Sequence, residues 1–406
     1  MQKLIILFFV ILQLPLRSQV TLPAFIDTTL IRHEIIIQGK ADLYSSSLQN
    51  SFSNKLLFGG TFSSEEISKQ VSLQDNHNSI GIESNSEIEY RNYAIFPKKN
   101  WGMLFKTSAN TTNSLHYTRD LFSVLFQGNY SYLGTPLQLN PSSLQSISYI
   151  KFGIGFIHKK TKSNFSFNVF QIENYVSSCI DYGAIYVNDS INLALIDLTG
   201  SSISYFPSSK QRNIGFGIDV DLKIPVTAFN DRTIYLNLIA KNFGIGILTK
   251  DVHYYSIDTN YIFQGFTLNQ LGDFFGNKSS STNSLEALKI DSSHATRISP
   301  LVGFIQFDKL NTQDATTRYQ SIFGARMYPS ISFIPFIYAG IQIKCASKIW
   351  LGIHENYGIT NSLRTGLYLK IIGKNFGLNL GAENLIDSFR TNGRGRSIQC
   401  KLQWHI

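Results

Sequence analysis

His354 is followed directly by Glu355, the most suggestive acid–base pair in the chain. A histidine beside a carboxylate can act as a general base when a nucleophile stands within reach. No nucleophile motif accompanies this one: HExxH, GxSxG and the phosphate-binding glycine loop are all absent from the sequence. The 8 histidines are scattered, and Cys179, Cys345 and Cys400 lie far apart with no CxxC. Neither a metal cluster nor a disulfide framework follows from that spacing. The tripeptides GFG, GIG and NFG fall within alternating segments, where glycine lets strands bend and pack closely. A Ser/His lipid hydrolase at a barrel rim is the one enzymatic reading left, and with serine this abundant such proximity arises by chance. No catalytic, cofactor-binding or metal-ligating residue is expected.

The charged residues point elsewhere. In the run Ile214 to Ile224, Ile214, Phe216, Ile218, Val220, Leu222 and Ile224 are large and apolar. Gly215, Gly217, Asp219, Asp221 and Lys223 alternate with them. A period of two puts all the charges on one face of a strand. Arg364 and Lys370 alternate with Leu363, Thr365, Leu367 and Leu369. His354 and Glu383 hold the corresponding places in 349–354 and 376–383. Asp219, Asp221, Lys223, His354, Arg364, Lys370 and Glu383 therefore face water on a soluble sandwich, or the lumen of a membrane barrel. A sandwich strand usually alternates for about 5 to 6 residues. A tilted membrane-crossing strand needs about 9 to 11.

The strand length, the lack of a disulfide framework and an N-terminal signal favour the barrel. Lys3, the apolar run Leu4 to Leu14 and Ser18 form a secretory signal, expected to be cleaved before Gln19. Removing Lys3 and Arg17 lowers the formal charge from +9 to +7, 34 basic against 27 acidic residues. An exported basic chain meets anionic lipid head groups rather than nucleic acid. No stretch after residue 20 is long and apolar enough for a membrane helix. Charged residues are 16 % of the chain and aromatics 13 %, a composition suited to strands with one face on something apolar.

The elements that position the charges follow. The fold class expected is all-β, a transmembrane antiparallel β-barrel of about 14 strands, within about 12 to 16, over residues 86–406. Residues 19–85 contain few clean strands and are expected to form a plug in the lumen or a periplasmic segment. Ser63 and Glu66 there have the spacing of a capping box. Residues 250–299, with LNQLGDFF and NKSSSTNS, read as a long extracellular loop. Ile398, Cys400, Leu402, Trp404 and Ile406 form an unbroken apolar face to the end of the sequence. An open sheet edge in hydrocarbon costs several kcal/mol per unpaired group. This last strand is therefore expected to close the barrel and to serve as the signal read by the barrel assembly machinery. Tyr328, Tyr357, Phe389 and Trp404 are candidates for interfacial girdles.

Several stretches carry a resemblance. DLFSVLFQGNYSYLG (Asp120 to Gly134), YIKFGIGF, GFGIDVDLKIPV followed by IYLNLIAKNFGIGIL, and LNLGAENLIDSF resemble a family of outer-membrane barrels of unknown function in gliding, type IX-secreting diderm bacteria. That family is distantly similar to the FadL-type fatty-acid channels. The resemblance covers roughly 85 to 406 and implies 14 strands, an N-terminal hatch and transport or secretion support. Together these readings place the protein in the outer membrane as a channel or binder for hydrophobic or small solutes. The alternative is a structural or docking component of a secretion or cell-surface assembly. Its partners would be outer-membrane lipids, the assembly machinery and secretion or surface proteins.

Overall fold

The computed structural model of the chain describes residues 25–26, 31–128, 132–187, 194–206, 212–227, 233–249, 251–263, 290–294, 297–301, 304–312, 318–328, 332–358 and 363–406. The signal region lies outside the described residues. Where alternation is clean, strands form and pair with their sequence neighbours. They are β1 (His33–Ser45), β2 (His77–Asn92), β3 (Trp101–Thr118), β4 (Ser142–His158), β5 (Asn164–Val187), β6 (Asn213–Thr227) and β7 (Thr233–Leu248). There follow β8 (Phe304–Thr312), β9 (Tyr319–Tyr328), β10 (Ser332–Ala346), β11 (Ile349–Tyr357), β12 (Arg364–Ile372), β13 (Phe376–Ala382) and β14 (Gly395–His405). Each pairs antiparallel with the next, and Arg297–Leu301 extends β8 along β7.

β14 pairs with β1 from Glu34↔His405 to Tyr44↔Gly395, which closes a 14-strand barrel. The last residue takes part. The Ile406 amide donates to the His33 carbonyl at 2.9 Å, and the His33 amide donates to the Ile406 carbonyl at 3.1 Å. Among the described residues the ring of β1 to β14 leaves no open edge to hydrocarbon.

The barrel is apolar outside and polar within. Along β11 the exposed residues are Ile349, Leu351, Ile353, Glu355 and Tyr357, and the buried ones are Trp350, Gly352, His354 and Asn356. β6 repeats this, with Ile214, Phe216, Ile218, Leu222 and Ile224 exposed while Asp219 is 2 % exposed. A large apolar side chain left in water forgoes about 1.5–3 kcal/mol relative to burial. A continuous belt of them is stable only against lipid, so the polar face is the lumen.

The two rims differ. The connections 93–100, 159–163, 347–348 and 373–375 are short, and the end of β14 lies on their side. The opposite rim carries α1 (Asn50–Phe58), α2 (Ser64–Ser72), α3 (Arg119–Gln127) and the short α4 (Leu385–Ser388). Leu48, Phe52, Val71, Tyr117 and Phe122 pack α1, α2 and α3 onto the ends of β1 to β3. On the same side β5 runs on past the barrel. Its second half pairs with Ala194–Tyr205, which pairs with Val252–Phe263, which pairs with Ile290–His294.

Two sequence boundaries shift. Residues 33–45 and 77–85, expected within a plug or periplasmic segment, belong to the wall strands β1 and β2, and α1 and α2 sit at the long-connection rim. The reason is local. β1 carries the run Ile35, Ile36, Ile37, and the lipid-facing side of β2 includes Ser84 and Ser86, so neither shows a clean period of two. Within 250–299, Val252–Phe263 and Ile290–His294 are strands, and LNQLGDFF and NKSSSTNS lie outside the described residues.

Candidate lumen site

The lumen is built from side chains that alternate with the lipid-facing ones. At mid-height Asp219 of β6 accepts from Lys106 of β3 at 2.5 Å and from Lys151 of β4 at 2.7 Å. Its other oxygen accepts from the Asn242 amide at 2.7 Å. The β6–β7 register shifts between Ala240 and Phe243, and Asn242 adopts a φ of 60°. Asn is among the few residues that take this conformation readily. A bulge re-aims the groups around it, and here the Asn242 amide is aimed at Asp219 while its side-chain oxygen accepts from Lys151 at 2.6 Å. Beside this cluster Glu87 of β2 accepts from Lys241 of β7 at 2.9 Å and from Gln38 at 2.5 Å.

Toward the short-turn rim Glu34 accepts from the Tyr93 hydroxyl at 2.8 Å and from Arg91 at 3.2 Å, and Gln403 of β14 also donates to it. Lys162 lies 4.0 Å from the Tyr93 ring centroid. Tyr93, Leu104 and Ile157 pack with Ile31 as an apolar floor.

Toward the other rim side chains cross the barrel. β1 and β8 stand seven strands apart in a ring of 14, on opposite walls. Yet the Lys40 ammonium of β1 lies 5.2 Å from the Phe304 ring centroid of β8, and Tyr44, Ile239 and Phe304 pack together. Arg326 covers the same ring at 4.6 Å, donates to Gln306 at 2.8 Å and completes a cluster with Asp308 and Tyr338. The lumen is thus pinched across its width. Rings also fill the space above inward glycines on neighbouring strands: Tyr44 over Gly81, Tyr338 over Gly324, His354 over Gly366 and Tyr368 over Gly352. Each such glycine stands directly opposite its ring in the strand register.

Below the pinch a cavity of about 200 Å³ remains, with both signs of charge on its walls, including Glu87, Lys106, Lys151, Asp219, Lys241 and Arg326. Asp219, Asp221, Lys223 and Lys370 also border it. His354, Arg364 and Glu383 are buried inside the barrel but do not border that cavity. Both Glu383 carboxylate oxygens and both of Asp42 lack a hydrogen-bond partner among the described residues. Buried polar groups are ordinarily satisfied, so water is the expected partner of these oxygens. Ile398, Trp404 and Ile406 are exposed on the lipid face, where Cys400 and Leu402 are half-buried. Tyr357 and Phe389 are exposed toward the long-connection rim, and the Tyr328 side chain lies outside the described residues.

Sequence reasoning missed Lys106, Lys151, Glu87 and Lys241. Lys151 follows Ile150 and precedes Phe152 in an alternating segment, and that signal marks it as inward. Its meeting with Asp219 is a long-range contact that local spacing does not encode. Among the described residues no group of three His, Cys, Asp or Glu is placed to hold a metal ion.

No protein-family model matches the sequence, and no curated protein matches it. Among solved structures, the Pseudomonas putida toluene transporter TodX aligns with TM-score 0.35 and 8 % identity over 92 % of this chain and 88 % of its own. The translocator domain of the Neisseria meningitidis autotransporter NalP aligns with TM-score 0.30 and 7 % identity over 94 % and 91 %. The Ralstonia pickettii toluene transporter TbuX aligns with TM-score 0.26 and 8 % identity over 93 % and 90 %. At these scores the likenesses carry no argument about solute or mechanism.

Proposed function

We infer that the protein is an outer-membrane barrel that binds or passes small polar solutes and is closed at rest by its own side chains. The observation that carries this reading is the Lys106–Asp219–Lys151 cluster beside the Glu87–Lys241 pair, buried inside a barrel whose exterior is apolar. Removing one partner of a buried ion cluster leaves charge uncompensated, at a cost of about 3–5 kcal/mol. A wall kept polar at that risk favours solutes that carry charge or hydrogen-bonding groups. The charged cavity walls argue for the small-solute branch over the hydrophobic one.

Planar bilayers test the reading. Wild-type protein is expected to conduct weakly. Asp219→Asn removes the carboxylate shared by Lys106 and Lys151, so anions should enter, with conductance and anion selectivity both rising severalfold. Identical current and selectivity in wild type and variant would count against a solute path through this cluster.

A docking role is the second reading. Leu56, Leu57 and Phe58 on α1 and Leu125 on α3 are exposed at the long-connection rim, Phe58 at 71 %. Type IX secretion or another surface assembly would use this rim.

A further inference from the structure

The mid-height lumen cluster balances its charges; the short-turn rim carries an excess of one sign. The connections 93–100, 159–163, 228–232, 313–318, 347–348 and 373–375 hold 9 basic residues and 2 acidic ones. At the other rim, segments 46–76, 119–141, 358–363 and 383–394 hold 5 basic and 6 acidic residues. Lys98, Lys99, Lys160, Lys348, Lys374 and Arg318 are all exposed, and none forms an ion pair among the described residues.

A second feature adjoins this ring. Lys309 stands on the lipid face of β8, flanked by Leu236 of β7 in the strand register. It lies 5.8 Å from the Phe323 ring centroid and donates to the Ser321 hydroxyl of β9 at 2.6 Å. No carboxylate pairs with it among the described residues. At the start of β9 Arg318 lies 5.9 Å from the ring centroid of Tyr319, which is 55 % exposed on the same outer face. A cation on the lipid face is tolerated near the interface, where its head reaches the polar layer. A cation, a hydroxyl and the Phe323 ring at that level match a phosphate on an acyl chain, with Arg318 and Tyr319 nearer the turn.

We propose that the short-turn rim is a binding surface for anionic phospholipid of the leaflet that borders it, with Lys309 and Ser321 of the β8–β9 face holding one phosphate and Arg318 adding charge nearer the turn. Short turns of such barrels face the periplasm, so the source is a phospholipid of the inner leaflet. The surface is continuous with the lipid belt, and its excess charge is opposite to that of the head group. This inference does not depend on whether the lumen conducts.

The test is native mass spectrometry of the full chain in neutral detergent with equal amounts of phosphatidylglycerol and phosphatidylcholine. Each surface Lys or Arg adds about fivefold to anionic-lipid affinity, so the wild type should retain phosphatidylglycerol in clear excess. The excess should shrink with added salt, because exposed charges are screened. Lys98→Gln, Lys99→Gln, Lys160→Gln, Lys348→Gln and Lys374→Gln together should bring the two lipids close to parity. Lys309→Met with Arg318→Gln should remove the most firmly held phosphatidylglycerol. Heat-modifiable migration checks that each variant is folded, and none of the five turn lysines has an ion-pair partner to lose among the described residues. Equal retention of both lipids by the wild type, the result expected if an acidic protein is the true partner, would overturn the proposal. So would an unchanged preference in folded variants.

Discussion

Glu66 is the residue whose place and role its sequence spacing predicts most directly. The Ser63 hydroxyl accepts from the Glu66 amide at 3.2 Å, and the Glu66 carboxylate accepts from the Ser63 amide at 2.9 Å, so the capping box opens α2. Lys55 of α1 donates to both Glu66 oxygens, at 2.5 and 2.7 Å. The Lys55 ammonium, and after it the Ser63 amide, hold this carboxyl below its ordinary 4.5. A carboxyl depressed in the folded state stabilises above its unfolded value, and the contribution is lost as pH falls through the folded value. Amide protection in α2, the intrinsic exchange rate divided by the observed one, should therefore be high at pH 7 and fall below about pH 4.5, and Glu66→Gln should abolish that fall. Protection that stays constant to pH 3 in the wild type would contradict it. Asp219 marks the limit at this scale. Alternation places it on the polar face, but its two lysines come from β3 and β4, far away in sequence, and no local rule brings them together.

Among the elements, β6, β11, β12 and β14 are legible because one face is apolar and the other polar along their length. β1 and β2 are not, since Ile36 points into the lumen while Ser84 and Ser86 lie on the outer face. Their place in the wall follows from pairing, which fixes the register of β1 between β14 and β2. The bulge at Asn242 also escapes a strand-by-strand reading, because it exists to aim a backbone amide at another strand. β14 illustrates what pairing demands. Deleting Gln403–Ile406 removes both His33–Ile406 hydrogen bonds, the Gln403 contact to Glu34 and the pairing of Trp404 with Phe376 and Ile35. Several backbone groups are then left open to lipid at several kcal/mol each. The truncated chain should lose its heat-modifiable folded band in the membrane fraction. A normal folded band would show that closure tolerates a shortened last strand.

At the scale of the whole molecule the same alternation has two outcomes, and burial separates them. A soluble sandwich buries Ile353 and exposes His354; this barrel does the reverse. Closure follows once the apolar face is turned outward, since hydrocarbon tolerates no open sheet edge. The pinch between Lys40, Tyr44 and Phe304 belongs to this scale alone, since it joins opposite walls. The most direct test of the inside-out arrangement is collisional spin-label accessibility in liposomes, with Cys179, Cys345 and Cys400 replaced by serine. Labels on cysteines substituted singly for Leu351, Ile353, Leu367 and Ile398 should collide readily with oxygen and poorly with a water-soluble nickel chelate. Labels at Glu355 and Phe389, toward the long-connection rim, should favour the nickel chelate. If the first four positions favour the chelate instead, the apolar face does not meet lipid and the barrel is not a membrane-spanning one.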